Sequence, residues 1–96
     1  MTTTYVVAYD ITDDDRRTKV FLLCRSYGRR IQYSVFECTL DGLQHHEFCR
    51  RLATLLVLTQ DRVAIYPLCS GCRGDTVFLG VPGPDGPLTR SRVRIV

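Results

Sequence analysis

Tyr5-Val6-Val7-Ala8-Tyr9-Asp10-Ile11 is the stretch of the sequence that decides the fold. Its near-continuous apolar and aromatic residues predict a strand that is buried on both faces in the centre of a sheet. Asp10 lies at the C-terminal end of this strand, where an unpaired carboxylate would be costly to bury. The ends of central strands are also where α/β-type folds place chemistry. Asp10 is therefore either a functional residue or simply the residue that ends the strand or caps the next helix.

The composition indicates one small domain. The chain has 96 residues, and its hydrophobic fraction of 45% is ordinary for a globular protein. No apolar run approaches the roughly 20 residues of a membrane span, and the N-terminus lacks the basic region of a signal peptide. We therefore expect a cytoplasmic protein with no membrane partner.

The basic residues are almost all arginine. The net charge is +3, and of the 13 basic residues only Lys19 is lysine. Arginine presents a planar, bidentate donor group that suits phosphate. Genomic base composition produces the same bias, so the bias by itself does not establish nucleic-acid binding.

The chain contains five cysteines, an odd number in a sequence without an export signal. We expect free and mostly buried thiols. Cys69-Ser70-Gly71-Cys72 is a lone CxxC motif, which supplies at most half of a zinc site. The motif is expected in a loop over residues 69–75 rather than at the start of a helix, which argues against a thioredoxin-like role. The cysteines are Cys24, Cys38, Cys49, Cys69 and Cys72.

The first helix is predicted over residues 13–27. Apolar residues such as Val20 and Cys24 recur at helical spacing, and the basic residues fall largely off that stripe. Thr12 or Asp13 is the expected N-cap, and the acidic residues that follow suit a first helical turn. Gly28 stands where a left-handed C-cap is expected.

The second helix is predicted to begin at a capping box. Asp41 and Gln44 have the required spacing, and the apolar periodicity continues to about Leu58. His45 and His46 fall in the first turn and point in different directions, so they do not make a metal pair. We expect both histidines to face solvent, with phosphate contact as the lesser alternative.

Three further stretches predict strands. In residues 29–40 the apolar side chains move from one face of the predicted strand to the other, which predicts a bulge or bend near residues 34–36. Either one bent strand or two short strands satisfies this pattern. Residues 62–68 form a strand whose Pro67 indicates an edge position or the end of the strand, and residues 76–81 form another.

The C-terminal region is predicted as a stiff linker followed by a terminal strand. We expect residues 1–81 to form the domain and residues 82–96 to form an arm rich in proline and glycine, which reaches a neighbouring sheet on this or another subunit. Three arginines share one face of this strand and would attract phosphates, although charged edge strands also discourage aggregation. They are Arg90, Arg92 and Arg94.

The order of elements predicts an α+β, ferredoxin-like βαββαβ sandwich with an additional C-terminal strand. Its antiparallel sheet would carry both helices on one face. The other face is expected to carry residues such as Tyr9 or Ile31 and needs a cover. A second copy of the same sheet is the natural cover, which predicts a homodimer packed sheet to sheet.

Several motifs occur in order along almost the whole chain. They are Y-D-I at 9–11, R-R at 16–17, Y-G at 27–28, R-I-Q-Y-S-V-F-E at 30–37 and R-V-A-I-Y-P-L-C at 62–69. Together they resemble the second CRISPR-associated protein, the small dimeric endonuclease of the spacer-acquisition machinery. The resemblance implies a ferredoxin-like homodimer, Mg²⁺-dependent cleavage of RNA or DNA, and assembly with the CRISPR integrase on DNA.

The resemblance also assigns residues. The catalytic aspartate of the family, which would also hold the metal, falls on Asp10. Its serine and phenylalanine fall on Ser34 and Phe36, and its arginine falls on Arg16 or Arg17. Ser34 and the arginines of the first helix and of the tail are the candidate contacts to nucleic acid.

The chemistry of a phosphodiesterase makes the dimer necessary. Mg²⁺ is usually held by one or two carboxylates and several waters, and one chain supplies only one well-placed carboxylate, Asp10. Two Asp10 side chains that meet across a dimer axis would supply two, so we expect a monomer to be inactive. One alternative is a non-catalytic adaptor that bridges integrase subunits and needs the arginines but not Asp10. Another is a ferredoxin-like regulatory dimer that binds a small molecule.

Overall fold

In the computed structural model, β1 (Thr3–Asp10) lies inside an antiparallel sheet, as the sequence predicts. The structure describes residues 1–80 in full and the backbone of residues 92–94. The elements that follow β1 are α1 (Asp14–Tyr27), β2 (Gly28–Gln32), β3 (Val35–Leu40), α2 (Gly42–Leu55), β4 (Arg62–Leu68), α3 (Ser70–Gly74), β5 (Val77–Leu79) and β6 (Arg92–Arg94).

The four long strands form one sheet in the order β2-β3-β1-β4, and neighbouring strands are antiparallel. β1 is central, with Val7 opposite Phe36 of β3 on one side and Ile65 of β4 on the other. This is the strand order of a split βαβ sandwich. The predicted α+β, ferredoxin-like fold is therefore confirmed. β4 is an edge strand, which is where a strand that contains Pro67 is expected.

The core lies between the sheet and the two long helices. Phe36 is fully buried, and its ring centroid lies 5.8 Å from that of Phe21 on α1 and 6.2 Å from that of Tyr9 on β1. Removing an aromatic ring from such a position costs about 3–5 kcal/mol. Within residues 1–80, the remaining buried apolar residues are Val7, Ile11, Val20, Cys24, Cys38, Leu40, Phe48 and Leu52.

Tyr9 faces the helices, so its predicted place on the opposite face of the sheet is wrong. Its side chain belongs to the core and is only 6% exposed. A strand that is apolar at almost every position has no polar face to orient it, so the pattern could not fix which side Tyr9 takes. Ile31 does lie away from the helices, because it lines a cavity there with Val6 and Phe78.

Both long helices begin as predicted. Asp13 is the N-cap of α1, where its carboxylate accepts a hydrogen bond from the Arg16 N–H at 2.9 Å. Asp41 and Gln44 form the capping box of α2, through hydrogen bonds of 2.8 and 2.9 Å. α2 ends at Leu55 rather than near Leu58, because the chain turns extended at the next residue.

Gly28 is not a left-handed C-cap, because its φ of −162° is extended backbone that any residue adopts. The need for glycine is steric. A Cβ at this position would lie 2.2 Å from the carbonyl oxygen of Glu37 and 2.5 Å from Sγ of Cys38. Glycine therefore lets β2 leave the helix and lie directly against β3.

Residues 28–40 form two strands rather than one bent strand. β2 and β3 are joined by a tight turn at Tyr33 and Ser34, although neither Gly nor Pro marks it. The register shifts between Arg30 and Gln32, which places the predicted irregularity a few residues earlier than expected.

The segment after β4 differs from its prediction. Residues 70–74 form the short helix α3, with Cys69 as its N-cap, rather than a loop. The following strand is shorter than predicted, and β5 pairs in parallel with β6 of the same chain in a separate two-stranded sheet. The stiff linker predicted at the start of the arm and Arg90 lie outside the described residues. No helix within the described residues is long and apolar enough to cross a bilayer.

The two histidines of α2 differ from each other. His46 is exposed, as predicted, but His45 is only half-exposed because its ring stacks on Tyr5 of β1, with 4.5 Å between centroids. His45 Nε2 also lies 3.6 Å from Sγ of Cys49, one turn further along the helix. His45 is therefore part of the packing between α2 and the sheet.

Candidate nucleic-acid and metal site

Asp10 is exposed at the end of β1, on the sheet face opposite Tyr9, because successive strand residues alternate between faces. The register places Arg62 of β4 directly across from it. Within residues 1–80, the structure gives the Asp10 carboxylate no hydrogen bond or ion pair. The explanation that Asp10 caps α1 is wrong, because Asp13 does so. The Asp10 carboxylate is therefore available to a ligand from solvent.

A cavity of about 530 Å³ opens beside Asp10. Its walls come from the end of β1, the beginning of β4 and the loop between α2 and β4. Most of this lining is apolar, and the charged groups are two carboxylates and one guanidinium. The lining residues are Ala8, Tyr9, Asp10, Leu56, Leu58, Asp61, Arg62, Val63 and Ala64.

Asp61, the second carboxylate of this cavity, holds the loop in place. Its side chain is fully buried and receives hydrogen bonds from Arg16 Nε at 2.8 Å and Arg16 Nη2 at 3.1 Å. The backbone N–H of Val57 donates a third, at 2.8 Å. These bonds, with that of Arg16 the strongest, hold the pKa of Asp61 below its ordinary value. Asp61 therefore ties the start of α1 to the loop that precedes β4.

The described part of one chain does not complete a metal site. Among these residues, no three His, Cys, Asp or Glu side chains are grouped so that they could hold a metal ion. Both oxygens of Asp61 are already engaged, so Asp10 is the carboxylate of the cavity that is open to a cation. Mg²⁺ is held by one or two carboxylates and several waters, so Asp10 fits this ion as part of a site completed from outside the chain.

A second cluster lies at the turn between β2 and β3. The guanidinium of Arg30 lies 4.9 Å from the ring centroid of Tyr33 and 5.1 Å from that of Phe21, so it is stacked between two aromatic rings. Tyr33 is 83% exposed at the tip of the turn. The carbonyl of Ser34 accepts a hydrogen bond from the backbone N–H of Tyr9 at 3.1 Å, which fixes the turn beside the end of β1.

Tyr9 joins this cluster to the core. Its ring lines a small cavity of about 140 Å³ together with Arg17, Arg30, Tyr33 and Ser34, and with Thr18 and Phe21. Burial raises the pKa of Tyr9, an effect that Cys24 adds to and that Arg30 and Arg17 oppose. The Tyr9 phenol is therefore protonated near neutral pH, one residue before Asp10.

The structure separates the predicted nucleic-acid contacts into three groups. Arg17 and Ser34 line the same cavity, and Arg17 also donates to the carbonyl of Ile11 at 3.0 Å and pairs with Asp14. The guanidinium of Arg16 is occupied by Asp61, so a contact with nucleic acid remains a prediction that the geometry does not favour. For the tail, only the backbone of residues 92–94 is described, and Arg90 lies outside the described residues.

Arg30, Tyr33 and Asp61 have functional or positioning roles that the sequence did not predict. Arg30 and Tyr33 both occur in the R-I-Q-Y-S-V-F-E motif, so the motif itself was a signal for them. Asp61 gave no comparable signal, because its partner Arg16 is 45 positions away in the sequence. Long-range ion pairs of this kind are not visible in local patterns.

The fold and the two clusters define a ferredoxin-like domain with an open carboxylate at the end of its central strand and, beside it, an arginine stacked between two aromatic rings. A sequence model of the family described as "CRISPR associated protein Cas2" matches residues 3–76. The chain belongs to this family, as the motifs predicted.

The chain is similar over most of its length to known Cas2 proteins. It is 48% identical to the CRISPR-associated endonuclease Cas2 2 of Thermus thermophilus, over 92% of this chain and 89% of the relative. It is 42% identical to the CRISPR-associated endoribonuclease Cas2 3 of Synechocystis, over 90% and 89% of the two chains.

Solved structures agree with the sequence relatives. A crystal structure of the hypothetical protein TT1823 from T. thermophilus matches with a TM-score of 0.79 and 44% identity, over 86% of this chain and 96% of that chain. A chain from a partial Cas6-RT-Cas1–Cas2 complex matches with a TM-score of 0.70 over 91% of both chains, and at 19% identity it shows the fold alone.

Proposed function

We propose that two copies of this chain form a Mg²⁺-dependent nuclease that cleaves phosphodiester bonds in RNA or DNA. The observation that carries the proposal is the exposed Asp10 carboxylate, which ends a rigid central strand and has no partner among the described residues. The names of the curated relatives, endonuclease and endoribonuclease, support the same activity.

The face of the sheet opposite the helices supports the dimer. The chain itself reaches part of this face, where Phe78 lines a cavity of about 290 Å³ together with Val6 and Ile31. The part that no described residue covers includes the half-buried Ala8 and Ala64 and the exposed Tyr66, and it extends towards Asp10. A second copy seated here would cover apolar surface and bring a second Asp10 towards the first.

In this arrangement the two Asp10 carboxylates would hold Mg²⁺, which supplies charge neutralisation at phosphorus and an activated water. Arg17 and Arg30 lie beside the end of β1, where their guanidinium groups would bind phosphate. Tyr33, exposed and stacked on Arg30, offers a flat surface to an unpaired base. The protonated Tyr9 phenol is a neutral hydrogen-bond donor in the same cavity.

The first test is cleavage of RNA, single-stranded DNA and duplex DNA by the purified protein, with Mg²⁺ and with EDTA. We expect Asp10→Asn to abolish Mg²⁺-dependent cleavage. The matched control is Asp15→Asn, which removes another exposed carboxylate from the first turn of α1. Equal activity of the Asp10→Asn variant and the wild type would refute the proposal.

A second test asks whether both copies contribute. Wild-type and Asp10→Asn chains are unfolded together, refolded in equal amounts and assayed for cleavage. Random pairing makes about one quarter of the dimers purely wild-type. If the metal needs both carboxylates, only these dimers are active, and activity falls to about one quarter of that of the same amount of wild-type protein. If each subunit acts alone, activity falls to about one half, which would contradict the shared site.

The second candidate function is a non-catalytic adaptor that holds DNA and bridges subunits of the CRISPR integrase. The observation that favours it is the arginine-rich composition, with Arg30 and Arg62 beside the Asp10 region. The presence of a similar fold in a complex that contains Cas1 is consistent with such assembly. Asp10→Asn separates the two candidates, because an adaptor would keep duplex binding and spacer acquisition without Asp10.

A further inference from the structure

Cys69 and Cys72 are brought together across the first turn of α3. Cys69 is the N-cap of this helix, and its Sγ accepts a hydrogen bond from the backbone N–H of Cys72 at 3.2 Å. Both residues are exposed. The CxxC motif therefore begins a short helix and does not lie in the predicted loop, so a loop position no longer speaks against a redox role.

The surroundings of the pair leave room for a disulfide. Side chains three positions apart in a helical turn lie about 5–6 Å apart at Cβ, and a disulfide needs about 3.5–4.5 Å. Closure therefore requires a small movement of the turn. A Cβ built on Gly71 or Gly74 meets no atom within 4 Å, so there is free space beside both of these residues of the turn.

We propose that Cys69 and Cys72 form a reversible dithiol–disulfide couple that exchanges with low-molecular-weight disulfides of the glutathione class. The Cys69 thiolate attacks one sulfur of the small disulfide, forms a mixed disulfide and releases a small thiolate. Cys72 gives its proton to that thiolate and attacks Sγ of Cys69, which closes the Cys69–Cys72 bond. The second small thiolate leaves and takes a proton from solvent. The protein loses two hydrogens and the small disulfide becomes two thiols.

The electrostatics of the pair support this division of roles. Hydrogen bonds from the thiol and the backbone N–H of Cys72 lower the pKa of Cys69. The pKa of Cys72 is raised, because it donates to Cys69 and lies beside the charge of its thiolate. Cys69 is therefore the thiolate that attacks, and Cys72 is the thiol that resolves the mixed disulfide.

The other cysteines are poor competitors for this reaction. Burial raises the pKa of Cys24 to about 12, with a further contribution from Cys38. Burial likewise raises the pKa of Cys38 to about 11, and Glu37 adds to it. Cys49 is half-exposed, and burial raises its pKa as well. The reaction should therefore be selective for one pair of the five thiols.

The pair lies at the opposite end of β1 from Asp10. Leu68, the residue before Cys69, is paired with Thr4, whereas Arg62 is paired with Asp10. Thr4 and Asp10 are six positions apart along β1, which corresponds to about 20 Å. The inference therefore stands apart from the proposed nuclease, and its test does not depend on cleavage activity.

The test titrates the reduced protein with mixtures of oxidised and reduced glutathione, quenches with iodoacetamide and maps the cysteines by mass spectrometry. We expect Cys69 and Cys72 to lose alkylation together, with loss of two hydrogens and full recovery in dithiothreitol. Cys72→Ser should accumulate a glutathione adduct on Cys69, and Cys49→Ser is the control that should leave the disulfide unchanged.

Three results would overturn the proposal. The first is complete alkylation of both cysteines at every glutathione ratio. The second is a disulfide between two chains, which a non-reducing gel reveals. The third comes from the alkylation rate as a function of pH. We expect the midpoint for Cys69 to lie below that of a free cysteine thiol, because the Cys72 thiol donates a hydrogen bond to it, and to rise in Cys72→Ala. A midpoint that Cys72→Ala does not change would show that Cys72 has no influence on Cys69.

Discussion

Gly28→Ala tests the close contact between β2 and β3. The added Cβ would lie 2.2 Å from the Glu37 carbonyl oxygen, more than 1 Å inside the 3.4 Å where ordinary contact begins. The atom it meets is backbone, so β2 must move away from β3 at the pair formed by Gly28 and Cys38. Overpacking of this kind costs about 1–3 kcal/mol, and each weakened ladder hydrogen bond costs about 1 kcal/mol more. We expect a loss of about 3 kcal/mol in the free energy of unfolding.

The matched control is Gly42→Ala, in the first turn of α2. A Cβ on Gly42 meets no atom within 4 Å, and alanine is a better helix former by up to about 1 kcal/mol. We expect this variant to be as stable as the wild type or slightly more stable. The assay is urea unfolding at one fixed protein concentration, because association also changes apparent stability. A loss below about 1 kcal/mol for Gly28→Ala would refute the steric explanation.

Three further predictions concern single side chains. Tyr33→Ala should weaken single-stranded nucleic-acid binding about tenfold or more, and Tyr33→Phe should not, as measured by fluorescence anisotropy at low salt. Burial raises the pKa of Glu37 above 4.5, so stability should fall as pH rises from 4.5 through that raised pKa, and urea unfolding of Glu37→Gln should lack this fall. The pKa of Asp61 is lowered because Arg16 and the Val57 N–H bind its ionised carboxylate, so these bonds stabilise the fold above pH 3.8 and are lost in more acidic solution. In urea unfolding, Asp61→Asn should be less stable than the wild type at pH 7 and should lose less stability on acidification.

The local signals in the sequence predicted the elements well. The apolar run of β1, the Asp13 cap and the Asp41 capping box depend on residues within a few positions of one another, and all are confirmed. The strand order followed from the sequence of elements, because few topologies satisfy a split βαβ pattern.

What the sequence did not show depends on contacts between distant residues. The orientation of Tyr9 is set by its contact with Phe36, and the role of Gly28 by the backbone of Glu37. Neither contact leaves a periodic signal. The turn at Tyr33 and Ser34 was ambiguous for a different reason, since it lacks the glycine or proline that marks most hairpins.

The structural roles of three other aspartates explain why Asp10 is the candidate for chemistry. Asp13 caps α1, Asp14 pairs with Arg17, and the buried Asp61 is bound by Arg16 and a backbone N–H. Each of these carboxylates has a structural partner, and their substitution would disturb α1 or the loop before β4. Asp10 has no such partner among the described residues, so Asp10→Asn should leave stability unchanged while it removes metal-dependent cleavage. A loss of stability equal to that of Asp61→Asn would show that Asp10 is structural and would remove the main support for a shared metal site.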